Sequence, residues 1–218
     1  MKHESSDKPA SQPKVVPPQN GLIIFDFDGT ITTKDTFALF LRYYAGFWSW
    51  LKNITTLLPV FISYKLGRID RHAVKIAVIR KFFSGEKVSD IEKRAQTFAK
   101  DIIPGLIRPK ALEHFREKMM EADRVYICSA SITPYLLYWA DSLNFPRKNV
   151  LAVELSESSG ILSGEIEGYN VWGENKINRI SDTFRSKNVR IAEAYGDSEG
   201  DRELLNAAEA SFFRPFRV

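Results

Sequence analysis

Four acidic residues occupy two places in the chain where a metal ion could bind. Asp26 and Asp28 directly follow a short apolar run, and Asp197 and Asp201 follow a second apolar run near the end of the chain. Close carboxylates repel each other unless a cation neutralises them. Hard cations such as Mg²⁺ prefer oxygen ligands, so the four acids form a candidate Mg²⁺ site if the fold brings them together.

The same acids, with a hydroxyl and an ammonium group, have the chemistry for phosphoryl transfer. A carboxylate can attack phosphorus and form an aspartyl-phosphate. A second carboxylate two residues later can protonate the leaving alkoxide and then deprotonate the attacking water. Ser129 and Lys176 would place a hydrogen bond and a positive charge where negative charge develops. Gly29 would allow loop N–H groups to approach the phosphate oxygens.

The order of predicted elements brings these residues to one edge of a sheet. Residues 21–25 form a predicted buried strand, and helical and strand patterns alternate after residue 104. This alternation predicts a three-layer, Rossmann-like α/β fold with a mainly parallel sheet. Ligands of such sheets bind beyond the carboxyl ends of the strands, where the candidate residues stand.

The remaining segments predict a tail and an inserted cap. Residues 35–103 have helical periodicity, and we expect an all-helical cap inserted into a core of residues 21–34 and 104–218. Residues 1–20 are polar and rich in proline, which predicts a flexible tail. They lack the apolar stretch of a signal peptide.

Composition narrows the class of protein. Hydrophobic residues make up 44% of the 218 residues, which suffices for a packed core. The single cysteine, Cys128, excludes an internal disulfide framework and favours a reducing compartment such as the cytoplasm. The net charge of +4 comes without a dense Lys/Arg block, so we expect no nucleic-acid partner. No apolar run reaches the ~18 residues that a bilayer span needs.

These motifs resemble those of the haloacid dehalogenase-like hydrolase superfamily. "DFDGTIT" is similar to the first motif of that family, Ser129 to the second, Lys176 to the third and "GDSEGD" to the fourth, in the same order. The resemblance covers about residues 21 to 214. Aspartate at both positions 26 and 28 favours a phosphatase, because the dehalogenases of the family lack the second carboxylate.

The resemblance implies a role for each motif residue. Asp26 would be the nucleophile and a Mg²⁺ ligand, and Asp28 the general acid/base that also offers the metal its backbone carbonyl. Asp197 would bind the metal directly, and Asp201 would support the metal or its waters. The phosphoryl group would be held by Ser129, Lys176, Gly29, Thr30 and Ala130.

The helical insertion resembles the cap of the phosphoserine-phosphatase-like branch. Phosphoserine phosphatases carry an acid shortly after the first motif that grips the serine ammonium, and Asp35 stands at that place. Their second motif reads Ser-Gly-Gly, whereas this chain has Ser129-Ala130-Ser131, and Gly200 replaces an asparagine of their fourth motif. These departures count against free phosphoserine as the substrate.

Asp35 and Arg80 are the candidate specificity residues of the cap. Each also has a structural interpretation, since Asp35 could cap the following helix and Arg80 could be solvated or complement a helix dipole. We expect the substrate to be a small phosphorylated metabolite or a lipid-linked phosphate.

Residues 46–66 are unusually rich in aromatic and aliphatic side chains, with Lys52, Lys65 and Arg68 around them. Residues 26–44, "DFDGTITTKDTFALFLRYY", followed by this apolar run, also resemble the opening of the phosphatidylglycerophosphate phosphatases of the C type. Such a segment suits peripheral contact with an anionic membrane head group, or alternatively a core or a subunit interface.

A module that is phosphorylated on aspartate without turnover is the competing functional class. Phosphoacceptor receiver domains also combine acids, a hydroxyl and a lysine on an α/β sheet. They are shorter, however, and they lack both a large cap and the second carboxylate. The sequence therefore favours an enzyme.

Overall fold

The computed structural model describes residues 20–120 and 124–217. The predicted flexible tail at 1–20 lies outside the described residues, apart from Asn20.

The strands of the described residues form one five-stranded sheet and one hairpin. Their bounds are β1 Leu22–Phe25, β2 Val125–Ile132, β3 Val150–Val153, β4 Leu155–Ser158, β5 Ile161–Ile166, β6 Ile191–Gly196 and β7 Ala208–Phe213. The five-stranded sheet has the order β3-β2-β1-β6-β7 and all its neighbouring pairs are parallel. The central strand β1 is completely buried, as the unbroken apolar run predicts. The predicted Rossmann-like α/β class is confirmed.

Helices fill the connections between these strands. Their bounds are α1 Thr36–Ala45, α2 Phe47–Thr56, α3 Leu58–Lys65, α4 Arg71–Phe83, α5 Val88–Asp101, α6 Pro109–Met119, α7 Thr133–Ser142, α8 Glu174–Phe184 and α9 Arg202–Ala207. The first five lie in residues 35–103, the segment where the sequence predicts a helical insertion, and α6 follows them before β2. Among the described helices, none is long and apolar enough to cross a bilayer.

Local sequence signals set the helix ends in this insertion. Gly46 ends α1 and precedes α2 with a positive φ of 74°, which side chains rarely adopt. Pro59 stands in the first turn of α3, where its missing N–H costs nothing. Asp70 caps α4, since its Oδ1 accepts a hydrogen bond of 2.7 Å from the N–H of Ala73.

The strands β4 and β5 form an antiparallel hairpin that packs on the inserted helices. The N–H of Gly85 donates to the carbonyl of Leu162 at 2.9 Å, and the N–H of Leu162 donates to the carbonyl of Glu86 at 2.8 Å. The hairpin therefore ties the segment after β3 to the turn between α4 and α5. The division into a core at 21–34 and 104–218 and a cap at 35–103 remains a prediction.

An aromatic cluster joins the inserted helices to the rest of the fold. Phe40 of α1 packs against Phe83 of α4, Phe98 of α5 and Tyr135 of α7, with ring centroids 5.1 to 6.2 Å apart. All four side chains are fully buried. Burial of each apolar ring stabilises the packing by roughly 1.5–3 kcal/mol, so this cluster fixes α1 above the sheet.

Candidate active site

The carboxyl ends of β1, β2 and β6 meet at one cavity of about 330 Å³. Asp26 and Asp28 follow β1, Asp197 follows β6, and Asp201 ends a short 3₁₀ turn that begins at Glu199. The cavity is lined, among others, by Asp26, Asp28, Gly29, Ser129, Ala130, Lys176, Asp197, Asp201 and Arg217. The parallel topology thus brings the residues that the sequence singles out to one crevice.

Three of the four acids converge closely enough to hold one metal ion. Carboxylate oxygens of Asp26, Asp197 and Asp201 all lie within 4.8 Å of one another, and the three residues are buried. Burial raises the pKa of Asp26 to about 8, and the charges of Asp201 and Asp28 add to the rise while Lys176 opposes it. The donor set consists of hard oxygens with excess negative charge, which fits Mg²⁺.

Lys176 is the buried counter-charge of this cluster. It lies in the first turn of α8, and its Nζ donates to Asp26 Oδ1 and to Asp201 Oδ1, each at 2.6 Å. Burial disfavours the charged ammonium, but the two carboxylates outweigh burial and raise the pKa of Lys176 above its usual value. Lys176 therefore remains charged at the centre of the site.

Asp201 holds the loop after β6 in place. Its Oδ2 accepts hydrogen bonds from the N–H of Asp197 at 3.1 Å, the N–H of Ser198 at 2.9 Å and the Ser198 hydroxyl at 2.8 Å. Burial alone would raise the pKa of Asp201, yet Lys176 and these bonds keep it below its usual value. The carboxylate is thus ionised and fixes the neighbouring Asp197.

The side chain of Asp28 is directed away from the other acids. Its Oδ1 accepts from the N–H of Thr36 at 2.8 Å and from the Thr36 hydroxyl at 2.6 Å, while Ser131 donates to Oδ2. Burial raises the pKa of Asp28 to about 6, and Asp35 adds to the rise, whereas the hydrogen bonds from Ser131 and Thr36 limit it. A carboxyl group with a pKa near neutrality suits general acid/base catalysis.

The loop after β1 and the end of β2 form the remaining wall. The Thr30 hydroxyl donates to Asp26 Oδ2 at 3.0 Å, and buried Ser129 accepts from the N–H of Ser131 at 3.1 Å. Gly29 has a φ of 82°, and a Cβ there would run into the carboxylate of Asp197. Glycine is therefore required where the first and fourth motifs touch.

Arg217 completes the cavity and was not predicted from the sequence. Its guanidinium pairs with Asp197 Oδ2, and nearby Arg214 donates from Nε to the carbonyl of Asp197 at 2.9 Å. Burial raises the pKa of Asp197, and Asp201 adds to the rise, while Arg217 opposes it. An arginine beyond the last strand carries no motif, so no sequence signal marked it.

The structure separates the two candidate specificity residues. Asp35 caps α1, because its Oδ1 accepts from the N–H of Ala38 at 2.9 Å, and it also lines the cavity beside Asp28. Arg80 lies at neither cavity beside Asp28 and instead forms an exposed ion pair with Glu165 of β5. The sequence prediction for Asp35 remains open, and the geometry gives Arg80 no contact with the site.

A second cavity, of about 280 Å³, adjoins Asp28 beneath the inserted helices. Asp28, Asp35, Arg71 and Ala130 are shared with the first cavity, and most of the other lining residues come from α1, α3 and α4. If the phosphate of a substrate lies at Asp26, the rest of the molecule can extend past Asp28 into this second cavity.

A Rossmann-like sheet with an acidic cluster and a buried lysine at its strand ends has the arrangement that the four sequence motifs predict. The chain belongs to the haloacid dehalogenase-like hydrolases, since the family model with that description matches residues 23–206. The family predicted from the four sequence motifs is confirmed.

Individual relatives agree with this assignment. Protein CicA from Caulobacter vibrioides (strain NA1000 / CB15N) is 34% identical over 196 residues, which cover 90% of this chain and 86% of CicA. A protein of unknown function from Bordetella pertussis Tohama I shares the fold with a TM-score of 0.72 at 17% identity, covering 85% of this chain and 86% of that one.

A substrate-bound phosphoserine phosphatase complex has a TM-score of 0.59 at 20% identity, covering 90% of this chain and 86% of that one. At this identity the likeness shows the fold alone. The resemblance to the phosphoserine-phosphatase-like branch is thus matched by the fold. The likeness to phosphatidylglycerophosphate phosphatases remains a prediction.

Proposed function

We propose that the protein is a Mg²⁺-dependent phosphomonoester hydrolase that acts through an aspartyl-phosphate on Asp26. The observation that carries the proposal is that two acids only two residues apart have different surroundings. Asp26 lies in the acidic cluster with Lys176, whereas Asp28 is held outside that cluster by Thr36 and Ser131. One carboxylate is therefore positioned as a nucleophile and the other as an acid.

The residues of the site supply each proton and charge that this reaction needs. Lys176 and Thr30 fix the two oxygens of Asp26, so its carboxylate is oriented towards the cavity. Attack forms a bond from Asp26 to phosphorus while the ester P–O bond breaks, and Asp28 protonates the departing alcohol. Water then adds to phosphorus, Asp28 accepts its proton, and the bond to Asp26 breaks.

A bound Mg²⁺ would neutralise charge on the phosphoryl oxygens and on the carboxylates that hold it. Asp26, Asp197 and Asp201 are the residues placed to hold it, and the backbone carbonyl of Asp28 is the expected fourth protein group. Since burial raises the pKa of Asp26 to about 8, a cation held there would also favour the ionised, nucleophilic form of Asp26 at neutral pH.

Hydrolysis of 4-nitrophenyl phosphate with and without Mg²⁺ tests the proposal. We expect Asp26→Asn to lose activity by orders of magnitude, because an amide cannot form the acyl-phosphate. Asp141→Asn, an exposed aspartate paired with Arg147, is the matched control and should retain activity. Full activity in excess chelator would refute the metal role, and near-normal turnover by Asp26→Asn would refute the nucleophile. A phosphoenzyme without phosphate release would favour the signalling module.

We further propose that the enzyme contacts an anionic bilayer through α2 and α3, from the cytoplasmic side. Apolar side chains are exposed along both helices and at the residue after α3, including Trp48 at 78%, Ile62 at 57% and Leu66 at 59%. We call this the apolar surface; it consists of Phe47, Trp48, Leu51, Leu58, Ile62 and Leu66. Amphipathic elements of this composition bind membrane interfaces.

The charges around the apolar surface favour lipid over a second copy of the chain. Residues 36–69 contain no aspartate or glutamate, and their four cations, Arg42, Lys52, Lys65 and Arg68, are all exposed. A two-fold contact formed by residues 36–69 of two copies would place these cations against each other with no carboxylate from the same segment between them. An anionic head-group layer attracts them instead.

Vesicle sedimentation tests the membrane contact. We expect binding to vesicles that contain phosphatidylglycerol, weaker binding at high salt, and none to vesicles of phosphatidylcholine alone. Trp48→Ala should weaken binding, whereas Met120→Ala, at a residue that is 88% exposed and lies outside the apolar surface, should not. Absence of binding, or a dimer in solution that Trp48→Ala dissociates, would overturn the proposal. A small phosphorylated metabolite would then be the expected substrate.

A further inference from the structure

The second cavity contains a cation that the proposed reaction does not use. Lys75 of α4 donates from Nζ to the carbonyl of Ala130 at 3.0 Å, and Nζ lies 3.2 Å from the centre of the Phe37 ring. An ammonium group has three donors, so these contacts leave hydrogen-bonding capacity. In the part of the chain that the structure describes, no carboxylate lies within ion-pair distance of it.

The surroundings make this position costly for an isolated charge. Burial lowers the pKa of Lys75 to about 7, although the carboxylates of Asp35 and Asp28 oppose the shift, and Arg71 adds to it. Arg71 lies one helical turn before Lys75, lines the same cavity, and packs over the ring of Trp172 at 4.8 Å. Two cations on one face of α4 repel each other until an anion lies between or beside them.

The other walls of the cavity are largely apolar. Phe37, Phe61, Tyr64, Val74 and Val78 form the apolar part, and Ser131 and Asn170 add polar groups. Because the cavity adjoins Asp28, the group that would protonate the leaving oxygen, it is placed to hold the leaving alcohol rather than the phosphoryl group. An alcohol that fits there has a hydrocarbon frame and an anionic substituent within reach of α4.

We propose that Lys75 binds an anionic group, a carboxylate or a second phosphate, on the leaving alcohol. Lys75 thereby selects phosphate esters whose alcohol carries such a group on an apolar frame. This inference rests on the proposed function, which delivers the alcohol to Asp28. The competing role is structural: Lys75 would only hold the Ala130 carbonyl and so the end of β2.

A pair of synthetic esters separates the two roles. Phenyl phosphate and its 3- and 4-carboxyphenyl analogues present the same phosphoryl group and ring, with or without an anion on the leaving group. We expect the protein to hydrolyse at least one carboxyphenyl ester with the higher kcat/KM. A hydrogen bond from a charged group predicts that Lys75→Met reduces this preference by about 10- to 100-fold, mainly through KM.

Matched variants define the controls. Lys75→Arg keeps the charge and should restore part of the preference. Lys81→Met removes the same charge from an exposed position of α4 outside the cavity and should leave the preference unchanged. The inference would be overturned in favour of the structural role if Lys75→Met lowered kcat/KM equally for the phenyl and carboxyphenyl esters. It would also be overturned if the unmodified protein showed no preference between them.

Binding measurements keep the inference separable from the proposed reaction. In the Asp26→Asn background, calorimetry with Mg²⁺ should show tighter binding of the preferred carboxyphenyl ester than of phenyl phosphate. Addition of Lys75→Met should remove that difference. If the unmodified protein hydrolyses none of the esters but the Asp26→Asn variant shows the difference in affinity, the proposed function fails and the anion site stands. If the unmodified protein hydrolyses the esters but the Asp26→Asn variant shows no difference in affinity, the anion site is refuted and the proposed function is retained.

Discussion

The hydroxyl of Thr36 controls the protonation of Asp28, and its removal gives a measurable shift. Thr36 donates to Asp28 Oδ1 from its backbone N–H and from its hydroxyl, and Ser131 donates to Oδ2. Both hydroxyls stabilise the charged carboxylate, whereas burial destabilises it and raises the pKa of Asp28 to about 6. A variant without the Thr36 hydroxyl should therefore have a still higher pKa at Asp28.

Thr36→Val preserves the side-chain shape and the backbone hydrogen bond. A hydrogen bond to a charged group contributes about 1.5–3 kcal/mol. One pKa unit corresponds to about 1.4 kcal/mol, so complete loss would raise the pKa of Asp28 by about one to two units. Because Ser131 and the backbone of Thr36 still donate to the carboxylate, we expect the lower end, about one unit.

The pH dependence of kcat/KM reports this shift. Phenyl phosphate has a poor leaving group that needs a proton from Asp28, so kcat/KM should fall as the pH rises through the pKa of Asp28. In Thr36→Val this fall should lie about one pH unit higher. With 2,4-dinitrophenyl phosphate, whose leaving group needs no proton, the two proteins should have the same profile. All assays use saturating Mg²⁺, and the measured quantity is the difference between the two proteins in the pH at which kcat/KM falls.

A matched control removes a threonine hydroxyl elsewhere. Thr55 is exposed on α2, outside the four motifs, and its hydroxyl donates to the carbonyl of Lys52. Thr55→Val should therefore leave the pH profile unchanged. A profile of Thr36→Val that is unshifted or moved to lower pH would show that Asp28 is not the acid, or that its hydrogen bonds do not set its pKa.

Three further substitutions, with Trp48→Ala as a control, probe the metal site and the core. Gly29→Ala should weaken Mg²⁺ binding by about tenfold or more in calorimetry, because a Cβ collides with Asp197 at a positive φ; unchanged affinity would contradict this geometry. Arg217→Gln should lower the melting temperature without Mg²⁺ and tighten Mg²⁺ binding, since Arg217 competes for Asp197; weaker binding would instead show cooperation. Phe40→Ala should lower the free energy of unfolding in urea by about 3–5 kcal/mol. Trp48→Ala, at a side chain 78% exposed, should change it by less than about 0.5 kcal/mol, and similar losses in both would contradict the assigned burial.

The elements and motifs were predictable because their signals are local. The apolar run before Asp26 marks β1, and Gly46 and Pro59 mark helix ends through backbone conformation alone. Parallel connectivity then brings Asp26 and Asp197 to the same sheet edge without any knowledge of side-chain packing. For this reason the fold class and the family were predicted from the sequence and are confirmed.

The partners of each functional group were not predictable in the same way. Ser131 reaches Asp28 from more than one hundred positions away, and periodicity gives the face of an element but not the side chain opposite it. Arg80 illustrates the same limit, since the hairpin that pairs with it is formed by strands much later in the chain. Arg217 reaches the site only because the chain beyond β7 folds back over Asp197.

The charge balance of the site connects its resting state with its proposed chemistry. The buried acids Asp26, Asp197 and Asp201 face two cations, Lys176 and Arg217, so the cluster has one negative charge in excess. Burial, with a smaller effect of the Asp201 charge, raises the pKa of Asp26 to about 8, which favours uptake of a proton by the cluster on its own. A divalent cation held by these residues would give the cluster a net positive charge, which would favour the ionised form of Asp26 and a phosphate dianion. Binding of metal and activation of the nucleophile are therefore linked in this arrangement, and uptake of Mg²⁺ near neutral pH should release a proton.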